Sequence, residues 1–330
     1  MKTSPRARGA LYGLAIGDAL GMPTQMLSRR EIAERWGPLL TGFEPAPPDH
    51  PIAAGLPAGT VTDDTEQAVL LGRLLVEGHG TVEPRELAQA LVRWERDMAA
   101  RGSLDLLGPS TKRAVAAVLA GVPPEEAGAS GDTNGAAMRI APLGIAVNLD
   151  HPEALVDQVV AVSRVTHNTG VALAGAAAVA AAVSAGLSGA GVGEATAFAV
   201  DAAGIAAGRG HWVAGADVAA RIEWATRLVP DRDLAEAAEV IYTLVGTSLA
   251  TQESVPAAFA VLAAVPDNPW QACLLAASLG GDCDTIAAMA GAVAGACHGV
   301  GAFPPDALAL IDAQGLGLSA LADDLCALRP

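Results

Sequence analysis

The chain has 330 residues, 52% of them apolar and only 3% aromatic, and a formal charge of −16. That length and apolar fraction suffice for a sizeable core without disulfide or metal staples, and the charge excludes a nucleic-acid or anionic-membrane surface, which needs clustered Lys and Arg. Because the apolar weight lies in Ala, Leu and Val rather than rings, the core has to reach its density by close backbone approach, which favours tightly packed helices.

Helical spacing recurs along the chain and alternating strand patterns are almost absent, so the sequence predicts an all-α protein. The apolar run 10–16, cut short by Asp18, is too brief for an export signal and reads as the first core helix. Residues 37–61 contain Pro38, Pro45, Pro47, Pro48, Pro51 and Pro57 with four glycines, which forbid a long helix. A loop of that length inside a compact domain is more often a site-forming or site-covering segment than a linker. Beyond it, helices are predicted at about 82–100, 109–120, 135–148, 152–164, 169–187, 191–208, 215–228, 231–245, 254–265, 268–279, 284–299 and 303–313. Residues 171–193 carry no charge and are long enough to span a bilayer, yet Ala and Gly gain little from lipid, so a central helix buried on all sides is predicted. With no flexible polar break and no fixed-period repeat, residues 1–330 read as a single compact domain. Cys273, Cys283, Cys297 and Cys326 lack metal-ligand or disulfide spacing and point to a reducing cytoplasm.

Two acidic clusters carry the chemistry. Thr62-Asp63-Asp64-Thr65-Glu66 precedes an apolar helical run, and alone it reads as a helix start, with Thr62 or Asp63 as the cap and Glu66 closing a capping box. Gly280-Gly281-Asp282-Cys283-Asp284-Thr285 repeats the arrangement after a glycine turn. A cap needs one side chain; two carboxylates and a hydroxyl, twice over and without a neighbouring His, form a hard oxygen set suited to Mg²⁺, with Mn²⁺ or Ca²⁺ also acceptable. Two glycine-bounded turns, at 107–111 and 131–135, open helices and present backbone N–H groups to phosphate or sugar oxygens, although a tight loop without a ligand has the same composition. Arg139 reads as a structural ion-pair partner, and His167 equally as a packing residue or a ligand neighbour. His50, His79, His151, His211 and His298 show no partner spacing.

Gly13 to Gly21 with Met22-Pro23, then TDDT at 62–65, Asn134 to Arg139, Thr166-His167 and GGDCDT at 280–285 follow the motif order of the ADP-ribosylglycohydrolases, which include the dinitrogenase reductase-activating glycohydrolases. The sequence resembles that family over nearly its whole length and looks closer to its uncharacterised bacterial branch. The resemblance implies an orthogonal multi-helix bundle with two Mg²⁺ ions held by Thr62, Asp63, Asp64, Asp282, Asp284 and Thr285. It further implies hydrolysis at the ribose anomeric carbon of an ADP-ribosyl compound, including an ADP-ribosylated protein, with Asp63 or Asp64 as the base. Gln25, Gly108, Ser110, Gly131, Thr133, Asn134, Gly135, Met138 and His167 would then face the substrate. The family often has Glu where Gln25 stands; an amide hydrogen-bonds or coordinates but is no base at neutral pH, and Gln25 reads equally as a loop residue. Only Trp36, Phe43 and Trp94 lie near enough in sequence to stack on an adenine, so a nucleoside or small ribosyl-compound N-glycosidase is the alternative reading. A silent ADP-ribose-binding module is a third, against which the complete acidic set argues.

Overall fold

The computed structural model describes residues 4–101 and 107–329. Among them the chain forms α1 (Pro5–Gly21), α2 (Arg29–Trp36), α3 (Asp63–Glu77), α4 (Pro84–Ala100), α5 (Pro109–Leu119), α6 (Pro124–Ala127), α7 (Gly135–Met138), α8 (Ala141–Ala146) and α9 (Pro152–Ser163). They are followed by α10 (Gly170–Leu187), α11 (Val192–Ala207), α12 (Val218–Thr226), α13 (Leu234–Val240), α14 (Thr251–Ala264), α15 (Pro269–Ala277), α16 (Cys283–His298), α17 (Pro305–Asp312) and α18 (Leu318–Leu328). Pro5, Pro84, Pro109, Pro152, Pro269 and Pro305 each take the first helical position, where the missing N–H has no partner to lose. Among the described residues extended pairing is limited to isolated bridges such as Thr133 with Ala250, so the fold is all-α, as its periodicity predicts.

The centre is built from helices that are apolar all round. α10 is buried from Ala172 to Gly186 and packs against α8, α9, α11, α14 and α16, so the one helix among the described residues long and apolar enough to cross a membrane is a core element here. α1 carries glycine at every fourth position, Gly9, Gly13, Gly17 and Gly21, and presents that stripe to antiparallel α16. A Cβ on Gly13 would stand 2.1 Å from the Gly291 carbonyl oxygen, and one on Gly17 would stand 2.0 Å from that of Ala287. From the other side, a Cβ on Gly295 would stand 1.9 Å from the Gly9 carbonyl oxygen. The two backbones therefore touch directly, which is how a core poor in rings reaches native density.

The structure departs from the periodicity in four places. The helix predicted over 135–148 is broken at Arg139 and Ile140, because Pro142 has no N–H to continue the ladder and starts α8 instead. The segment predicted over 231–245 is helical only from Leu234 and ends in a wide π-turn at Ile241–Val245. α2, with few apolar side chains, rests on a reciprocal Ser28–Glu31 capping box that the periodicity does not register. α18 is a further helix beyond the predicted set.

Residues 37–61 form no helix, and His50 ties them down. Its Nδ1 accepts from the Ala53 backbone N–H at 2.9 Å, which places the ring proton on Nε2, donated to the Gln25 carbonyl at 2.9 Å.

Adding a methyl at Gly13 has no cheap accommodation, since the obstacle is backbone. Gly13→Ala should lower the unfolding free energy by about 3 kcal/mol in urea denaturation, whereas Gly42→Ala, with nothing within 4 Å, should leave the midpoint near the parent's.

Candidate active site

The site begins with a charge inside an apolar helix. Asp18, in the last turn of α1, is wholly buried and accepts at the N-terminus of α3 from the Thr62 N–H (2.9 Å), the Thr62 hydroxyl (2.7 Å), the Thr65 N–H (3.1 Å) and the Thr65 hydroxyl. Burial pushes its carboxyl up to about 6, against the pull of these four donors. Thr62 also caps α3, its hydroxyl accepting from the Asp64 N–H. Glu66 does not close the expected capping box; it accepts instead from the Trp94 indole at 2.5 Å and pairs with Arg101 at 3.4 Å.

The second cluster is brought to the first by the turn before α16. Gly280 and Gly281 adopt φ of +83° and +70°, and a Cβ on Gly281 would stand 2.3 Å from the Thr247 carbonyl oxygen, so neither position accepts a side chain. The Met26 N–H donates to the Gly281 carbonyl at 2.6 Å and the Gly281 N–H to that of Leu27 at 2.9 Å, which lays the Gln25 loop beside the turn. The clusters then meet: the Thr285 hydroxyl donates to Asp64 Oδ2 at 3.2 Å. Burial raises the Asp64 carboxyl well above the usual range, followed by the charges of Asp284, Asp63, Asp18 and Asp282. Asp64 Oδ1 is buried with no hydrogen-bond partner among the described residues. Asp282 accepts from Asn134 Nδ2 at 2.5 Å. Among the described residues no three Asp, Glu, His or Cys side chains converge to hold an ion unaided; the donor set is a mixed one in which the Thr62 and Thr285 hydroxyls meet Asp64.

A cavity of about 470 Å³ opens over this floor, and Asp63, Asp282, Asp284 and Thr285 line it while Thr62 and Asp64 lie beneath. Gln25, Gly108, Thr133, Asn134, Gly135 and Met138 also line it. Ser110, Gly131 and His167 are not on its wall. Ser110 is buried and accepts from Arg113, Gly131 packs on the Thr166 carbonyl, and His167 reaches the cavity through the Thr133 hydroxyl at 3.0 Å. Burial, then the charges of Arg139 and Arg113, hold His167 well below its ordinary value, as the neutral imidazole. Arg139 donates to neutral partners, Gln67 at 2.8 Å and Thr166 at 2.5 Å, rather than to a carboxylate, and burial lowers it to about 10.

Residues given no role by the sequence complete the wall. Among the described residues Lys112 is the one cation lining the cavity, and Met26, Ile52 and Leu249 add apolar wall. Among the described residues no aromatic ring lines the cavity: Trp94 is held by Glu66, Phe43 packs on Trp270 at 5.6 Å, and Trp36 packs against the core. Asp18 was visible as a charge in an apolar run, and Gln67 as the helical neighbour four residues after Asp63.

A family model described as ADP-ribosylglycohydrolase matches residues 1–330. The uncharacterized protein YegU of Escherichia coli (strain K12) is 37% identical over 95% of this chain and 93% of its own length. The ADP-ribosyl-[dinitrogen reductase] glycohydrolase of Rhodospirillum rubrum is 29% identical over 93% of this chain and 90% of its own. A solved structure described as an ADP-ribosylglycohydrolase-related protein complex superposes with a TM-score of 0.70 at 26% identity, covering 98% of both chains.

Asp18→Asn exchanges an acceptor oxygen for an NH₂ group facing N–H and O–H donors, leaving buried donors unmet. Stability should fall by about 3 kcal/mol, read as a lower urea midpoint at unchanged slope.

Proposed function

This chain belongs to the ADP-ribosylglycohydrolase family, and from that premise we propose that it hydrolyses the bond between the ribose anomeric carbon of an ADP-ribosyl group and its acceptor, with Mg²⁺. The observation that carries the reading is the convergence of two acidic clusters under one cavity, where Thr285 reaches Asp64 Oδ2 at 3.2 Å beside a buried Asp64 Oδ1 that has no hydrogen-bond partner among the described residues. The charges of Asp284, Asp63, Asp18 and Asp282 oppose ionisation of buried Asp64, and a divalent cation would offset that cost while filling its vacant lone pair. Oxygen-only donors fit Mg²⁺, with Mn²⁺ able to substitute. Thr62, Asp63, Asp64, Asp282, Asp284 and Thr285 would hold it, as two ions. When bound, the metal supplies a grip on ribose hydroxyls and a water of lowered pKa.

The chain's own groups do the rest. Asp63 lines the cavity and receives the Gln67 amide at 2.8 Å, so it is held in place to take a proton from a water at the anomeric carbon. Asn134 orients Asp282, and its own N–H is tied to the Leu249 carbonyl at 3.0 Å, which keeps the 131–135 turn against the floor. The acceptor released from the ribose includes a side chain of an ADP-ribosylated protein. That no ring lines the cavity among the described residues favours a second reading, a nucleoside or small ribosyl-compound N-glycosidase, because adenine is ordinarily gripped by stacking.

Titration calorimetry with Mg²⁺ should give binding to the parent and none to Asp284→Ala, with the far-ultraviolet helical signal retained in both. Saturation at a hundredfold excess over Kd should add about 2.7 kcal/mol of stability. A parent that binds no divalent ion sinks the metal reading. Mg²⁺-dependent release of the ribosyl group from ADP-ribosylated peptides supports the first reading, release from free nucleosides alone the second, and tight ADP-ribose binding without turnover a silent module.

A further inference from the structure

An unbroken hydrogen-bonded chain of six side chains runs from the acidic floor to the cavity wall. Gln67 Nε2 donates to Asp63 Oδ2 at 2.8 Å, Arg139 Nη1 to Gln67 Oε1 at 2.8 Å, and Arg139 Nη2 to Thr166 Oγ1 at 2.5 Å. His167 then joins Thr166 Oγ1 through Nδ1 at 2.8 Å and Thr133 Oγ1 through Nε2 at 3.0 Å.

The middle member sets the direction of the whole. A guanidinium only donates, so Gln67 must turn its oxygen to Arg139 and its NH₂ to Asp63. The Thr166 oxygen accepts from Arg139 and keeps one proton to give. The Ser163 carbonyl, 3.4 Å from that hydroxyl, already accepts the backbone N–H groups of Thr166 at 3.1 Å and His167 at 2.9 Å. His167 Nδ1 is therefore the open acceptor. A neutral ring that accepts at Nδ1 carries its proton on Nε2 and gives it to Thr133. The Thr133 oxygen is thus engaged, and its hydrogen is left for the cavity that Thr133 lines.

We infer that Gln67, Arg139 and Thr166 are positioning residues that fix His167 in the Nε2-protonated form, so that Thr133 meets the substrate as a hydrogen-bond donor, toward an acceptor oxygen of the ribosyl group or its phosphate. The identity of that oxygen rests on the function proposed above; the relay itself does not. Gln67, Arg139, Thr166 and His167 are all buried, which strengthens each link and excludes competing water. Gly135 makes room for the ring: a Cβ there would stand 2.9 Å from His167 Cε1 and 3.1 Å from Nε2. The same guanidinium holds Asp63 through Gln67, so one buried cation keeps the base and the donor in register across the cavity.

Nitrogen-15 spectra of histidine-labelled protein, with the His167 signals assigned by their loss in His167→Asn, should show a protonated Nε2 and an unprotonated Nδ1 in the ligand-free parent. Thr166→Val removes the donor to Nδ1 at nearly constant volume. It should shift the ring away from the single Nε2-protonated form and lower kcat/KM for ribosyl release roughly 10- to 100-fold, with Mg²⁺ affinity unchanged. Thr166→Ser should restore both. A proton on Nδ1 in the parent, or an imidazole spectrum unaltered by Thr166→Val, overturns the relay. Because the ring is read without substrate, a parent that proves inactive counts against the proposed hydrolysis alone.

Discussion

The contact on which the rest depends is the backbone-to-backbone packing of α1 on α16. Its glycine stripe ends at Gly21, where a Cβ would stand 2.3 Å from the Cα of Asp284. One turn earlier on α1, Asp18 gathers the N–H and hydroxyl groups of Thr62 and Thr65. A single helix therefore positions both acidic clusters, one by contact and the other by hydrogen bonds. The floor of the cavity is a by-product of how closely two backbones approach.

That floor is a place of electrostatic tension held by geometry. The positive ends of α3 and α16 both point at it, and each offsets part of the carboxylate charge. Asp18, with no solvent, relies wholly on its donors. Asp64 receives the Thr285 hydroxyl on one oxygen and nothing on the other among the described residues. Structural carboxylates are ordinarily satisfied in full, as Asp18 is, and Asp64 departs from that rule.

Much of this was legible in the sequence. The all-α class, the buried α10 and the lack of helix over residues 37–61 follow from period, composition and proline content, and one residue of that segment, Ile52, lines the cavity. The acidic clusters stood out because a cap has no use for two carboxylates. Their convergence was not legible, because it links Asp64 to Thr285 across 221 positions and is a property of topology rather than of local pattern. Arg139 shows the same limit. Its charge suggested an ion pair, but its task is set by Gln67 and Thr166, which sequence spacing does not bring together. The break at Pro142 was missed because apolar spacing continued through it, and hydrogen-bond geometry overrode the period.

The packing of α1 against α16 also has a temporal side. Gly9 meets a partner that is synthesised long after it, Gly295. At translation speeds of 5–20 residues per second, roughly 15 to 60 s separate the two. Throughout that interval α1 is an apolar segment without its neighbour, and transiently exposed apolar surface of that kind is aggregation-prone. The acidic floor cannot form before α16 docks, because Asp282, Asp284 and Thr285 arrive with that helix.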